Sequence, residues 1–391
     1  MHQGKFVFAQ LVDFIYRHDF DKCVKRHNGD KMVRELTCRD QFLAMMFGQM
    51  TNLKSLSGIV CCLNAHHSKL HHLGFRTNNF VLSTLTRANE KRSWKIYKDL
   101  AQLLIGKATK LYADDNDFEI DLKGTPYVLD STIIELCLNI FKWAKFTKFT
   151  SAVRVHTQLS LKGNIPSFFL ITKAKTHDIN FLDEIDFEEN AYYIMDRGYF
   201  DFARLYQIHL QKAFFIIRAK ASLSFTRMYS RPVDKATGVC CDQEIKLNHF
   251  YSNKDYPEKL RRIKYHDKET SKYYIYLTNN FELDAKTIAD LYKHRWQIEL
   301  FFKWLKQHLH IEVFWGRSFN AVKTQICVAI CTFLIVAIAK KQLNVKFDLY
   351  KILQILSVSQ FDKTPINTLL SEVGLQSFAD QPQKQQCLWD F

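Results

Sequence analysis

Three apolar, β-branched runs between residues 126 and 175 decide what this chain can fold into. "PYVLDSTIIEL" (126–136), "SAVRVHTQLSLKG" (151–163) and "IPSFFLITKAK" (165–175) follow one another, the last two broken by Lys-Gly-Asn and a proline. Runs of Val, Ile, Thr and aromatic residues bounded by such breaks read as consecutive strands. Behind them the texture predicts a helix at "INFLDEI", a strand at "AYYIMDRG", a helix at "DFARLYQIHLQK" and a strand at "AFFIIRAK". Three strands followed by alternating helices and strands describe an α/β fold, a mixed sheet with flanking helices.

The rest of the chain is arranged around that sheet. Residues 1–75 read as a small all-helical N-terminal domain; "LTCRDQFLAMMFGQM" starts with Thr37 as N-cap and Asp40 three positions on, and a short helix follows at 53–63. Two short helices joined by a polar turn suit either a DNA-binding helix-turn-helix or an ordinary bundle. Residues 76–124 form a helical connector, with a long helical stretch over 83–112, whose Arg87, Lys91, Arg92, Lys95 and Lys98 either track phosphates or make a solvated face. The sheet's first part occupies 125–220. Residues 221–283 are polar and strand-like, a β-strand insertion before the helices of 284–340; the region 341–391 is helical and carries no recognisable motif.

Charge narrows the function. With 55 Lys and Arg against 40 Asp and Glu the net charge is +15, so an acidic polymer is the natural partner, nucleic acid before anionic membrane. The longest apolar run, "ICVAICTFLIVAIA" at 326–339, is shorter than the roughly 20 residues a bilayer needs and reads as a buried core helix. The N-terminus lacks the apolar stretch of a signal peptide. Ten cysteines include the vicinal pairs Cys61-Cys62 and Cys240-Cys241 but no C-x-x-C, and read as reduced thiols of a cytoplasmic protein. His66, His67, His71 and His72 beside Cys61 and Cys62 match no standard zinc spacing.

Two acids stand where burial makes them costly. Asp130 interrupts "YVLDSTII", and Asp196 ends "YYIMD" before Arg197-Gly198. A third, Glu299, lies in "YKHRWQIELFFKWLKQHL" (292–309), where Tyr292, Arg295, Glu299 and Lys306 recur at steps of three, four and seven. On a continuous helix they would make one stripe, at roughly 0°, 300°, 340° and 320°. A solvated, ion-paired face is the bland account of such a stripe. Taken with Asp130 and Asp196 it reads instead as an active-site face. Acids on the first strand, at the end of a later strand and on a following helix are where a ribonuclease-H-like fold gathers three carboxylates. Oxygen ligands of that kind suit Mg²⁺ or Mn²⁺, and the neighbouring Tyr292, Arg295 and Lys306 then serve as phosphate contacts.

The sequence resembles the DDE transposases of the insertion-sequence-four family. Tyr292, Arg295, Glu299 and Lys306 match that family's Y-x2-R-x3-E-x6-K signature, "LDST" (129–132) and "DRGYFD" (196–201) resemble the segments bearing its two aspartates, and "GRSFNAVKTQI" (316–326) is also similar. The resemblance implies cut-and-paste DNA transposition on a ribonuclease-H-like catalytic core made of 125–220 and 284–340, with 1–75 as a DNA-binding domain ahead of it. Asp130, Asp196 and Glu299 would hold two Mg²⁺ ions, with Mn²⁺ able to substitute, and Tyr292, Arg295 and Lys306 would hold DNA phosphates. Partners would be the double-stranded DNA of the terminal inverted repeats and target, with a homodimer in the synaptic complex, no membrane, and a bacterial cytoplasmic location at the nucleoid. A hairpin intermediate is implied as well; where a relative stacks a tryptophan on a flipped base, 221–283 offers only Tyr273, Tyr274 and Tyr276. The competing readings are a nuclease or resolvase of the same fold, and a non-catalytic DNA-binding descendant.

Overall fold

The structure is a computed structural model that describes residues 4–115, 120–137, 140–147, 151–219, 223–309, 311 and 313–371. It divides into two compact units, Met1–Leu111 with Leu305–Phe391, and Tyr112–Trp304.

The first unit opens with helices α1 (Val7–Val12), α2 (Arg17–Arg26), α3 (Cys38–Met50), α4 (Leu56–Ala65), α5 (Leu82–Lys91) and α6 (Lys95–Leu111). Thr37 caps α3 as its sequence suggests: its hydroxyl accepts from the Asp40 amide, and the Asp40 carboxylate accepts from the Thr37 amide at 3.0 Å. The long helical stretch expected over 83–112 holds two helices, α5 and α6. Arg92 leaves α5 in an extended conformation, and its guanidinium donates to the Leu36 and Thr37 carbonyls and to Gln41 Oε1. Arg92 is therefore committed to bracing the start of α3 and drops out of the cations free to meet a phosphate.

The second unit is built on one nine-stranded sheet. Its strands are β1 (Pro126–Leu136), β2 (Ser151–Ser160), β3 (Ile165–Lys173), β4 (Tyr192–Met195), β5 (Phe214–Arg218), β6 (Phe225–Arg231), β7 (Val239–Leu247), β8 (Leu260–Asp267) and β9 (Lys272–Thr278), in the order β3-β2-β1-β4-β5-β9-β8-β7-β6. β1 to β3 pair antiparallel, whereas β1, β4 and β5 run parallel. The strand-like segment 221–283 extends the sheet: its last strand β9 pairs antiparallel with β5, and β8, β7 and β6 continue outward. Buried Ile245, Leu247, Leu260 and Leu277 from these strands join the core of Leu129, Tyr193, Met195 and Ile217, which accounts for the continuity. Helices α7 (Phe202–Leu210), α8 (Phe250–Asp255) and α9 (Ala285–Lys293) accompany the sheet, and "INFLDEI" forms 3₁₀ turns over Asp178–Glu184 rather than an α-helix.

After α10 (Trp296–His308) the chain adds α11 (Phe319–Gln342), α12 (Leu349–Val358) and α13 (Ile366–Leu369) to the helical unit. Helix α11 packs against α3, α5, α6 and α12, and its residues from Ala321 to Ala339 are buried. The run at 326–339 is thus the middle of a 24-residue helix, longer than it reads in sequence and, by length and composition, the one helix among the described residues able to cross a membrane. Its burial in a helical core supports the core-helix reading. Within the helical unit the Val7 amide donates to the Asp362 carbonyl and Gln10 Nε2 to the Thr364 carbonyl, tying α1 to the segment after α12. Residues 372–391 of the expected C-terminal region lie outside the described residues.

Candidate active site

The two aspartates come together through strand register. β1 and β4 are parallel, and Leu129 is the partner of Met195. Asp130 and Asp196, each one residue further on, therefore leave neighbouring strands at the same level, roughly 4.8 Å apart in the sheet. Here the chain order of the sheet changes direction, since β2 and β3 lie on one side of β1 and β4 and β5 on the other. The carboxyl ends of strands at such a point are where open α/β sheets leave a crevice.

Asp130 accepts from the Ser131 amide at 2.8 Å and from Arg295 Nη1 at 3.1 Å. Burial pushes its pKa up to about 6; Ser131 and Arg295 oppose the rise, and Asp196 and Glu299 add to it. Asp196 accepts from the Gly198 amide at 2.8 Å and so caps the turn of 197–199. A Cβ at Gly198 would lie 3.0 Å from Asp196 Oδ1, so even alanine would crowd the carboxylate.

Glu299 arrives from the helical side, and here the structure departs from the continuous helix of the sequence reading. α9 ends at Lys293, His294 and Arg295 form a tight turn, and α10 starts at Trp296. Glu299 thus sits in the first turn of α10, where a helix favours negative charge. Arg295, on the turn, donates from Nη2 to Glu299 Oε1 at 2.5 Å while Nη1 holds Asp130. Burial alone would lower the Arg295 pKa; Glu299, Tyr292 and Asp130 outweigh it and raise it. The ion-paired account of the stripe is correct for Arg295 and Glu299, and the pair includes Asp130 as well. Tyr292 is buried, with its ring 4.8 Å from that of Tyr276, and burial raises its pKa to about 12. Lys306 is half-buried two turns beyond Glu299 on the same helix.

Residues the sequence reading left aside complete the surroundings. Asp178 accepts from the Ser131 hydroxyl at 2.5 Å and from Arg154 Nη1 at 2.5 Å. Because the Ser131 amide holds Asp130, this ion pair braces the first aspartate from behind. The Tyr199 hydroxyl is buried and makes no hydrogen bond among the described residues; burial, with Asp130, Asp178 and Asp196 nearby, holds its pKa far above the ordinary value. The spacing "DRGY" puts Tyr199 beside Asp196, but nothing in it signals an unpartnered hydroxyl facing three acids. Of the three candidate stacking tyrosines, Tyr276 is buried; Tyr274 lies under the Arg218 guanidinium, 5.0 Å from its ring; Tyr273 is exposed against His266 on the other face.

An all-oxygen set of crowded carboxylates, one with its pKa raised by burial and like charge, is a donor set that fits a hard divalent cation. Among the described residues no three acids, histidines or cysteines are grouped as a ready-made ion site, and the Arg295 guanidinium bridges Asp130 and Glu299.

Residues 122–335 match the family described as transposase DDE domain, and residues 3–76 match a domain of unknown function, DUF4372. Putative transposase y4zB of Sinorhizobium fredii (strain NBRC 101917 / NGR234) is 31% identical over 263 residues, covering 66% of this chain and 71% of that protein. A probable transposase for insertion sequence element IS5377 of Geobacillus stearothermophilus is 27% identical over 281 residues, 69% of this chain and 71% of the relative. Among solved structures, a piggyBac transposase synaptic complex with hairpin DNA aligns over 98% of this chain and 84% of its own at 9% identity and a TM-score of 0.44, a likeness too loose to bear on function.

Proposed function

This chain belongs to the DDE-domain transposases, and on that premise we propose that it moves an insertion sequence by cut-and-paste, with Asp130, Asp196 and Glu299 as its catalytic carboxylates. The observation that carries the assignment is the meeting of Asp130 and Glu299 on the Arg295 guanidinium, with Asp196 one strand away in register. The strand order β3-β2-β1-β4-β5, antiparallel then parallel, supports a ribonuclease-H-like core, and the spacing from Tyr292 to Lys306 supports membership of the insertion-sequence-four group.

DDE transposase domains generally use divalent metal ions; two Mg²⁺ or Mn²⁺ ions held by Asp130, Asp196 and Glu299 would supply charge neutralisation for in-line displacement at phosphorus. In the first step a water oxygen forms a bond to the phosphorus at the element's end and the 3′ oxygen leaves as a free hydroxyl. In the last, that hydroxyl oxygen forms a bond to a target phosphorus, and the bond from that phosphorus to the target strand's own 3′ oxygen breaks, releasing it as a hydroxyl that takes up the proton given off. The protein's own groups orient these steps. Arg295 presents a planar fork that matches phosphate oxygens as well as carboxylates, so a backbone phosphate competes with Asp130 and Glu299 for it. Lys306 adds a point charge further along α10. Ser131 and Asp178 keep Asp130 from turning away. A hairpin intermediate, if a base is extruded, has Tyr274 as its half-exposed stacking ring, since Tyr276 is enclosed. We place the enzyme in the bacterial cytoplasm, on the nucleoid when DNA-bound, as a homodimer in the synaptic complex.

The test is an end-nicking and strand-joining assay on DNA carrying the inverted repeats that flank the gene, in Mg²⁺ or Mn²⁺. Nicking followed by joining is expected. Hydrolysis without joining would make this a nuclease of the same fold, and no cleavage under any condition would defeat the catalytic reading.

A further inference from the structure

In the helical unit the start of α6 at Lys95 and the start of α11 at Phe319 are pinned side by side by one side chain. Asn320 Oδ1 accepts from the Trp94 amide at 3.2 Å, while its Nδ2 donates to the Asn89 and Arg92 carbonyls at 3.1 and 2.6 Å. One turn into α11, Lys323 is only 9% exposed, and its ammonium lies 4.2 Å from both the Trp94 and the Phe319 ring centroids. Lys98 approaches Trp94 as well, at 5.9 Å, and Lys95 is exposed beside it. Among the described residues no carboxylate pairs with any of these three lysines. Burial lowers the Lys323 pKa; Lys98 and Lys95 lower it further against Cys327.

A solvated face is the ordinary account of clustered lysines, and it fails for Lys323, which is nine-tenths buried. Nor is the cluster an internal ion pair. Two helix N-termini add positive potential to three cations instead of offsetting it, an arrangement that is costly until an anion arrives. The rings hold Lys323 in a fixed position, and three point charges spread over two helices suit successive phosphates better than one small anion. None of these groups offers the forked donors that read base edges.

We propose that Lys95, Lys98 and Lys323, set around Trp94 and Phe319, form a docking surface for the phosphate backbone of duplex DNA, separate from the carboxylate site and independent of sequence. The proposal rests on the transposase reading for the choice of polyanion. It also gives "GRSFNAVKTQI" a physical role: Ser318 caps α11, Phe319 and Asn320 build the junction, and Lys323 supplies the charge.

The test is binding of the full chain to a short random-sequence duplex across a salt series, for the unmodified protein, the Lys95→Gln/Lys98→Gln variant and Lys323→Met. The log–log salt slope is expected to fall by about two for the double variant and about one for Lys323→Met. The double variant changes only accessible lysines, so it decides the matter if Lys323→Met does not fold. Unchanged slopes in a protein that still binds duplex would overturn this surface and leave the transposase reading intact. No duplex binding by the unmodified protein would overturn both. Unchanged duplex binding with loss of binding to polyglutamate would assign the lysines to an acidic protein and also overturn the proposal.

Discussion

Asp130 and Glu299, one on the first strand of the sheet and the other on a helix near the far end of the second unit, close on the same guanidinium: Arg295 Nη1 is 3.1 Å from Asp130 and Nη2 is 2.5 Å from Glu299. A guanidinium serving two carboxylates is a local charge balance that any single substitution upsets. It also means that the three acids of the site are not equivalent. Asp130 is partly buried, braced and raised in pKa, whereas Asp196 is held by the turn at Gly198.

On the proposed chemistry, Asp130→Ala, Asp196→Ala and Glu299→Ala are each expected to reduce end nicking by at least about a thousandfold, since the full carboxylate set would supply several kcal/mol of transition-state stabilisation. Binding to uncleaved ends should stay within a few-fold, because the acids contribute no attraction to DNA. Gel-shift and nicking assays separate the two. Substantial nicking by any one variant would take that residue out of the catalytic set.

Arg295→Ala should lower the salt slope of binding to pre-cleaved ends by about one, and Lys306→Ala likewise. For Arg295 the loss includes a second effect, since Asp130 and Glu299 are left facing the phosphate without the guanidinium between them. Arg295→Lys keeps the charge but not the fork, so it should recover the slope while nicking stays impaired. Equal slopes in the unmodified protein, Arg295→Ala and Arg295→Lys would confine Arg295 to its ion pairs with Asp130 and Glu299.

How much of this was legible in the sequence follows from the range of the forces involved. Strands β1 to β5 and the cap at Thr37 show in the chain because they rest on neighbouring residues: β-branched runs, a proline, a hydroxyl three positions before an acid. Asp130 and Asp196 were legible because an acid in or at the end of an apolar strand is anomalous wherever it occurs, and Glu299 through its spacing from Tyr292, Arg295 and Lys306. What could not be read was set by distant partners. Nothing local says that β9 pairs with β5, that Arg92 stops α5 by bonding Leu36, or that α1 bonds residues near 360. The break at His294–Arg295 was hidden for the same reason: its residues form helices readily, and only the pairing of Arg295 with Asp130 marks the turn.

Asp178→Asn should slow nicking by roughly ten- to a hundredfold, the usual effect of removing a group that orients a ligand from behind. The amide can still accept from Ser131 but cannot neutralise Arg154, whose side chain is 13% exposed. A stability loss of about 1–3 kcal/mol accompanies that. Asp178→Glu restores the charge and should recover stability more fully than rate, because the longer side chain displaces Ser131. If nicking by Asp178→Asn matches the unmodified protein at a temperature where both are folded, the contact with Ser131 does not position Asp130.

The last expectation concerns pH and follows from His156. Its ring is fully buried, stacked on Phe181 at 5.2 Å, with Nε2 3.0 Å from the Thr172 hydroxyl and Nδ1 3.6 Å from Asp178. Burial pushes its pKa from 6.5 down to about 4; Asp178 resists the shift and Arg154 reinforces it. Between those two values the unfolded chain binds a proton on this residue that the folded chain does not. Stability therefore rises with pH across that window, is fully present above about pH 6.5, and is lost as pH falls toward 4. At about 1.4 kcal/mol per pKa unit the full contribution is on the order of 3 kcal/mol. His156→Gln keeps a hydrogen-bonding group near Thr172 without the titration. It should be less stable than the unmodified protein at pH 7.5, and the gap should narrow as pH is lowered to 5. Urea midpoints at the two pH values measure this directly. A gap that stays constant with pH would mean that His156 acts through packing alone and that the acid sensitivity of the sheet belongs to its carboxylates.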